Sequence, residues 1–182
     1  MPPKIKFTKE QIFDSAIEIV RKNGVEKLSA RTIANSLNSS PQPIFSYYKN
    51  MEELKKSVIE YAYNLYQKYN SEHIKSGKYP IYKSYGMAYI NFAKNEKEFF
   101  KLLFMSDKSE KRDIDISDVI NIIMKNLNLN KENATLFHFE TWTFVHGIAS
   151  MHITNYLNLN EEEISVVLTD VFEGLKLRFK EK

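Results

Sequence analysis

The chain has 182 residues, of which 43% are hydrophobic and 13% aromatic, and its net charge is only +3. This composition excludes a disordered chain, and the length allows one sizeable core or two small ones. The absence of cysteine excludes disulfides, cysteine-based zinc sites and a cysteine nucleophile. No apolar run approaches the roughly 18 residues that a membrane span needs, so we expect a soluble, cytoplasmic protein with no membrane partner.

Positive charge is concentrated at the N-terminus. Residues 1–56 contain ten Lys or Arg and six Asp or Glu, whereas the remainder contains sixteen and seventeen. A basic segment is the electrostatic feature by which a protein meets nucleic-acid phosphates. A random fluctuation of surface charge is the alternative.

The first predicted helix runs from Thr8 to Asn23. Thr8 and Gln11 have the spacing of a capping box, in which each side chain accepts a hydrogen bond from the other residue's backbone N–H. Gly24 can adopt the positive φ that ends a helix.

Two short helices follow. Ser29 is placed to cap the first, whose apolar stripe is Ile33, Ala34 and Leu37, and Asn38 and Ser39 end it. Ser40 is predicted to cap the second, with Pro41 at the first helical position, and this helix extends to about Tyr48. Two short helices joined by a tight turn form the helix-turn-helix pattern, whose second helix enters the DNA major groove.

The remaining predicted elements are helices as well. Asn50 and Glu53 form a second capping box and open a long helix from Met51 to about Lys75. Further helices are predicted in the aromatic segments 81–92 and 99–104, from Ser117 to Leu127, and over about 131–156 and 161–180, with a charged loop at Asp107–Asp115. The fold expected is all-α: a three-helix helix-turn-helix domain (1–54) joined by a continuous helix to a helical bundle (55–182).

This order of caps, aromatic residues and Lys-Asn resembles the DNA-binding domain of the tetracycline-repressor (TetR) family. The residues that carry the resemblance are Thr8–Gly24, Leu28–Ala34 and Ser40–Leu54, including Ile44-Phe45-Ser46-Tyr47-Tyr48-Lys49-Asn50. Farther along the chain, Trp142-x-x-x-His146-Gly147 is similar to the C-terminal domain of the TetR subgroup named for its Trp-His-Gly pattern. The resemblance implies a bacterial transcriptional repressor without enzymatic activity. It further implies a homodimer formed through the last two helices, which binds a palindromic operator and is released by a small hydrophobic or aromatic ligand.

The candidate DNA contacts lie in and around the second short helix. Gln42 is the expected base-reading residue because a Gln amide pairs with both N6 and N7 of adenine. The resemblance implies phosphate contacts from Phe45, Tyr47 and Lys49, although Phe45 lacks the hydroxyl that the family commonly has there. Tyr48 aligns with a buried Phe of the family and is expected in the core. The further candidates are Ser40, Pro41, Pro43, Ser46 and Arg31, and for Arg31 a solvated position is equally compatible with the sequence.

His146 is the one titratable side chain on an otherwise apolar stretch between Trp142 and Ser150. It either satisfies a buried backbone carbonyl or orients a small molecule among aromatic rings. Taken singly, aromatic residues at helical spacing are more often core than binding site. The resemblance nevertheless implies a ligand cavity, whose expected lining is Tyr85, Tyr89, Phe92, Phe104, Trp142 and His146.

No metal, cofactor or catalytic site is predicted. His138 and His146 share a helix face but lie eight residues apart, about 12 Å along the axis, which is too far for one ion to bridge. The sequence has no Gly-rich phosphate loop and no Gly-x-Ser-x-Gly motif. Two alternatives stay open: a DNA-binding dimer that needs no ligand, and a small helical enzyme that uses the aromatic cavity.

Overall fold

The computed structural model describes residues 7–106 and 115–180. All regular secondary structure in these ranges is helical, which confirms the predicted all-α class. In chain order the helices are α1 (Lys9–Asn23), α2 (Ala30–Ser36), α3 (Gln42–Phe45), α4 (Met51–Lys75), α5 (Ile81–Asn95), α6 (Lys97–Phe104), α7 (Ser117–Leu127), α8 (Lys131–Ile153) and α9 (Glu161–Lys180). None of them is long and apolar enough to cross a membrane.

Most helix starts follow from capping side chains. The Thr8–Gln11 capping box opens α1 as predicted, and Ser29 caps α2 through the N–H of Thr32. Asn160 and Glu163 form a reciprocal pair before α9. These side chains accept from N–H groups that have no partner inside the helix, which fixes where each helix begins.

The predicted cap of α3 is wrong by one residue. Helix α3 begins at Gln42, and its cap position is Pro41, with no side-chain hydrogen bond, so Ser40 is not the cap. Pro41 and Pro43 lie at the cap and the second helical position, where an N–H has no partner inside the helix, and α3 ends at Phe45 instead of about Tyr48. Helix α7 begins at Ser117, whose N–H donates to the carboxylate of Asp115 at 2.9 Å. The rest of the predicted charged loop, 107–114, lies outside the described residues.

The chain divides into two compact units, and the division falls inside α4, between Leu65 and Tyr66. The described part of the first unit is 7–65 with 96–106, and that of the second is 66–95 with 115–180. The predicted ranges, 1–54 and 55–182, placed the boundary earlier in α4. They also did not assign α6 to the N-terminal unit.

The first unit is built around α1. Its buried residues Ile12, Ala16 and Val20 face the unit's core together with Ile33 of α2 and Ile44 of α3. Helix α6 packs against α1. This core holds α3 through Ile44 and Tyr48, which are 1% and 3% exposed. The burial of Tyr48 confirms its predicted place in the core.

The second unit is a bundle in which α5 and α8 form the largest contact, with α7 packed on α8 and α9 packed on both α5 and α8. Apolar and aromatic side chains fill it, and Phe92, Phe137 and Ile123 are at most 1% exposed. Gly86 allows close packing of α5, since a Cβ there would lie 3.3 Å from a methyl group of Leu168.

Candidate nucleic-acid interface and aromatic cluster

Helix α3 and the residues after it form an exposed surface over a buried anchor. Ile44 and Tyr48 point into the core, whereas Phe45 between them is 49% exposed. The nine DNA-contact candidates all retain solvent access. Seven are exposed (Arg31, Ser40, Pro41, Gln42, Phe45, Ser46 and Lys49), and two are partly buried (Pro43 and Tyr47).

The turn before α3 depends on a left-handed residue. Asn38 has φ 49°, a conformation that Asn tolerates better than most residues, and the N–H of Ser39 donates to the Ala34 carbonyl. After α3, the chain continues in tight turns, since the N–H groups of Ser46 and Tyr47 donate to the carbonyls of Pro43 and Ile44. The backbone around the candidate residues is therefore held by local hydrogen bonds.

Lys49 lies two residues before the start of α4, and a hydrogen bond fixes its backbone. Its N–H donates to the Glu53 carboxylate at 2.6 Å, while the Glu53 N–H donates to the Asn50 side chain at 2.9 Å. Asn50 thus caps α4 as predicted, whereas the Glu53 carboxylate accepts from Lys49, one residue before the donor that a capping box would use. This arrangement fixes the backbone that carries the exposed Lys49 side chain.

Tyr47 makes a contact that the sequence did not predict. Its hydroxyl donates to the backbone carbonyl of Phe7 at 3.1 Å, across forty residues of sequence. Beside it, the ammonium of Lys9 lies 5.1 Å from the centre of the Tyr48 ring. The start of α1 therefore contacts the two residues that follow α3 and its turn.

Arg21 joins three helices of the first unit. Its guanidinium donates to Glu96 at 3.1 Å and to the Tyr61 hydroxyl at 3.2 Å, and lies 5.3 Å from the centre of the Phe99 ring. Burial works against the charge of Arg21, but the hydrogen bonds to Tyr61 and Glu96 outweigh it and raise the pKa. Sequence patterns did not reveal this group, because Glu96 lies 75 residues away from Arg21.

In the second unit, the structure brings together three of the predicted ligand residues. The Tyr89 hydroxyl and His146 Nδ1 are 2.8 Å apart, and the Trp142 ring lies 5.3 Å from the His146 ring between centroids. Tyr89 is 4% exposed and Trp142 is 38% exposed, so the group extends from the core to the surface. Burial raises the pKa of Tyr89, which keeps its hydroxyl protonated.

Tyr66 of α4 extends this group toward a fourth predicted residue, Phe92. Its ring lies 6.1 Å from Tyr89 and 5.4 Å from Phe92. Tyr85, on α5 as well, is partly buried. Phe104 is placed differently, since it belongs to the first unit and its ring lies 4.9 Å from Phe100.

Other polar groups of the second unit are also buried. Tyr82 contacts His138, 3.2 Å from hydroxyl to Nδ1, and burial lowers the pKa of His138 and raises that of Tyr82 to about 12. Asn70 and His152 each have a buried side-chain atom, Oδ1 and Nε2, without a hydrogen-bond partner among the described residues. Within the same ranges, no group of three or more His, Asp or Glu side chains is arranged to hold a metal ion.

In comparisons with protein-family models and with curated proteins, no match to the chain was found.

Proposed function

We propose that the protein is a DNA-binding transcriptional regulator of the TetR type, a repressor that binds a palindromic operator as a homodimer. The observation that carries the proposal is the surface formed by α3 and its flanking residues. Gln42, Ser46 and Lys49 are exposed there, while Ile44 and Tyr48 fix the backbone from below. A helix with polar and cationic side chains outward and an apolar anchor inward is what entry into a major groove requires.

Different side chains on this surface are suited to DNA bases and to phosphates. The Gln42 amide is suited to adenine, and Pro43 to the methyl group of thymine. Lys49 carries the positive charge for a phosphate, and Arg31 on α2 is exposed as well. Phosphate contacts position the protein and base contacts supply specificity, so loss of each kind should differ in its effect.

A dimer is part of the proposal because α3 has only four residues. So short a helix offers few base contacts, and two-fold pairing doubles them on a palindromic site. Exposed apolar side chains on the last two helices support pairing there. Among the residues that the structure describes, six of the eleven large exposed hydrophobic residues lie on α8 and α9: Leu136, Phe139, Trp142, Met151, Val166 and Leu177.

We further propose that a small hydrophobic or aromatic ligand binds at the group of Tyr89, Trp142 and His146 and releases the DNA. The hydrogen-bonded Tyr89–His146 pair supplies polarity, and the aromatic rings supply apolar surface. The ligand acts only if it binds more tightly to the dimer in which the α4 helices have swung, so that α3 no longer matches adjacent major grooves. A ligand-induced rise in Tm over a panel of aromatic compounds would identify it, and a DNA-binding dimer that needs no ligand would show none.

The test is selection from random duplex DNA, followed by anisotropy titration of the selected sequence at several salt concentrations. A palindromic sequence bound with a steep salt dependence is expected of a dimer that contacts phosphates. Failure of the folded protein to enrich any sequence would refute the proposal.

Two substitutions test the assigned roles. Gln42→Ala is expected to weaken binding by about 1 to 3 kcal/mol and to relax the sequence preference at one position of each half-site. Lys49→Ala is expected to weaken binding equally for all sequences and to reduce the salt slope by about one. If both variants change specificity and salt dependence alike, the assignment of base and phosphate contacts is wrong.

A further inference from the structure

Lys83 of α5 is a partly buried cation that is held by hydroxyl groups. Its ammonium donates to Ser165 Oγ and to Thr169 Oγ1 of α9, each at 2.7 Å. It also lies 5.0 Å from the centre of the Tyr79 ring. Among the described residues, no carboxylate lies within ion-pair distance of this ammonium. Buried cations are normally paired with an acid, so this setting disfavours the charged form of Lys83.

Lys78 lies five residues earlier in the chain and has the opposite setting. Its ammonium forms an ion pair with Glu161 at 3.0 Å, and its side chain is 58% exposed. It lies 5.4 Å from the centre of the Tyr79 ring, so both lysines contact the same aromatic side chain. The hydrogen bond with Glu161 raises the pKa of Lys78, whereas burial lowers the pKa of Lys83. Near neutral pH, the neutral amine is therefore a larger fraction of Lys83 than of Lys78.

The hydroxyl partners suit the neutral amine as well as the ammonium. An ammonium has three protons, of which Lys83 donates two to Ser165 and Thr169. Loss of the third proton keeps both hydrogen bonds and leaves a lone pair on Nζ. A hydroxyl can also donate, so either one can bind the carbonyl oxygen of an amide formed at Nζ. The surroundings of Lys83 thus accommodate a nucleophilic amine and its acylated product.

We propose that Lys83 is a modification site, at which the ε-amine reacts with small activated acyl compounds of the acyl phosphate class. The lone pair of the neutral Nζ attacks the acyl carbon and a C–N bond forms. The bond from the acyl carbon to the phosphate oxygen breaks, phosphate leaves with the electron pair, and the surplus proton of the amine goes to water. The product is a neutral amide with one N–H for two hydroxyls, so acylation weakens the link between α5 and α9. The proposal is independent of DNA binding.

The experiment uses the folded protein, with acetyl phosphate as the probe. Lysines left unreacted are acetylated with deuterated acetic anhydride after unfolding. Chymotrypsin, which cleaves after Tyr82, then separates Lys78 from Lys83 for mass spectrometry. We expect Lys83 to be acetylated severalfold faster than Lys78 near neutral pH, although Lys78 is the more exposed of the two.

Two outcomes of this experiment would overturn the proposal. Equal rates in the folded protein, or a faster reaction of Lys78, would show that exposure controls acetylation. In protein unfolded by urea, the two lysines should react at equal rates. A preference for Lys83 that persists in urea would show that the local sequence, and not the folded setting, makes this lysine reactive.

Thr169→Asp tests whether the missing counter-ion is the cause. It replaces one hydroxyl with a carboxylate, which should pair with Lys83 and abolish its advantage over Lys78. Thr143→Asp on α8 is the matched control and should leave the ratio of rates unchanged, because both Thr hydroxyls donate to the backbone carbonyl four residues earlier. Circular dichroism checks that the variants fold, and Ser165→Asp places the carboxylate at the other hydroxyl if Thr169→Asp unfolds. An unchanged ratio in a folded variant with the carboxylate at either position would overturn the proposal.

Discussion

The replacement of Gly24 by Ala should destabilise the first unit through the backbone. Gly24 has φ 83° and ψ 164°, a region that is essentially restricted to glycine and costs other residues on the order of 1–3 kcal/mol. An added Cβ would also lie 3.0 Å from a carboxylate oxygen of Glu98. That oxygen can move away, and the Glu98–Lys101 ion pair that it would disturb is partly exposed and contributes at most about 1 kcal/mol. We therefore expect Gly24→Ala to lower the free energy of unfolding by about 3 kcal/mol, mostly through backbone strain.

Gly77 provides the matched control. It also has a positive φ, of 63°, but a Cβ there would meet no atom within 4 Å. The left-handed conformation costs an alanine about 1–2 kcal/mol, so Gly77→Ala should be about 1–2 kcal/mol less damaging than the Gly24 variant. With a urea m-value of about 2 kcal/mol/M, the two unfolding midpoints should differ by about 0.5–1 M.

The assay is urea unfolding followed by circular dichroism and by the fluorescence of Trp142, the single tryptophan, which lies in the second unit. Coincident transitions by the two probes allow the free energies to be compared directly. The double variant Gly24→Ala/Glu98→Ala separates the two causes, because removal of Glu98 relieves the steric contact and leaves the strain. Equal midpoints for Gly24→Ala and Gly77→Ala would refute the backbone argument. Full rescue by Glu98→Ala would show that the contact, and not φ, limits this position.

Two further predictions concern the second unit. Tyr89→Phe removes the hydroxyl 2.8 Å from His146 Nδ1 and should lower the free energy of unfolding by about 1 kcal/mol. The control Tyr156→Phe, at an exposed residue, should have no effect, and equal thermal unfolding curves for the two variants would contradict the prediction. Burial lowers the pKa of His138 below its ordinary 6.5, so the unfolded chain binds the proton at a higher pH than the folded one. The stability that the neutral ring provides is present above pH 6.5 and is lost as the pH falls through 6.5 toward the folded pKa. Urea unfolding of the wild type and of His138→Gln across this range should therefore show that the free energy of unfolding declines less in the variant.

Helix bounds were largely predictable because they depend on local chemistry. The box at Thr8 and the reciprocal pair at Asn160 each involve residues three positions apart, and Met51–Lys75 has the predicted bounds. Helix α3 differs because the chain leaves it in tight turns, in which the N–H groups of Ser46 and Tyr47 donate to the carbonyls of Pro43 and Ile44.

The buried face of α4 differs from the one that the spacing of its large apolar residues indicates. That spacing favours Leu54, Val58, Tyr61, Leu65 and Tyr69, whereas the buried residues are Leu54, Val58, Ala62, Tyr66 and Asn70. A strict four-residue step selects the second set, but it includes Ala and Asn, which hydropathy does not favour. Tyr66, the residue in contact with Tyr89 and Phe92, was missed for this reason. Burial of a polar residue such as Asn70 depends on tertiary neighbours that periodicity does not contain.

Local sequence patterns also did not predict how the chain divides into two units. Helix α6 follows α5 after a single residue, yet it packs with α1 in the first unit, where Glu96 binds Arg21 and Glu98 lies beside Gly24. These partners are more than seventy positions apart in the sequence. Phe104 was grouped with the ligand residues because its segment is aromatic, but an aromatic stripe gives no information about which core it enters.

The Tyr47 hydroxyl has a partner within the protein, whereas the resemblance to the TetR family implies a phosphate contact. A hydroxyl at a protein–DNA surface helps affinity either by donating to a phosphate or by fixing a neighbouring group that does, and one proton cannot serve both partners at once. Here the Tyr47 hydroxyl donates its hydrogen bond to the Phe7 carbonyl. Phe45 has no hydroxyl and therefore offers no donor on the same surface. For the proposed DNA binding, cations are then the remaining strong phosphate ligands, which places more weight on Lys49. The affinity of such a surface for DNA should therefore depend strongly on salt concentration and little on the hydroxyl groups that remain.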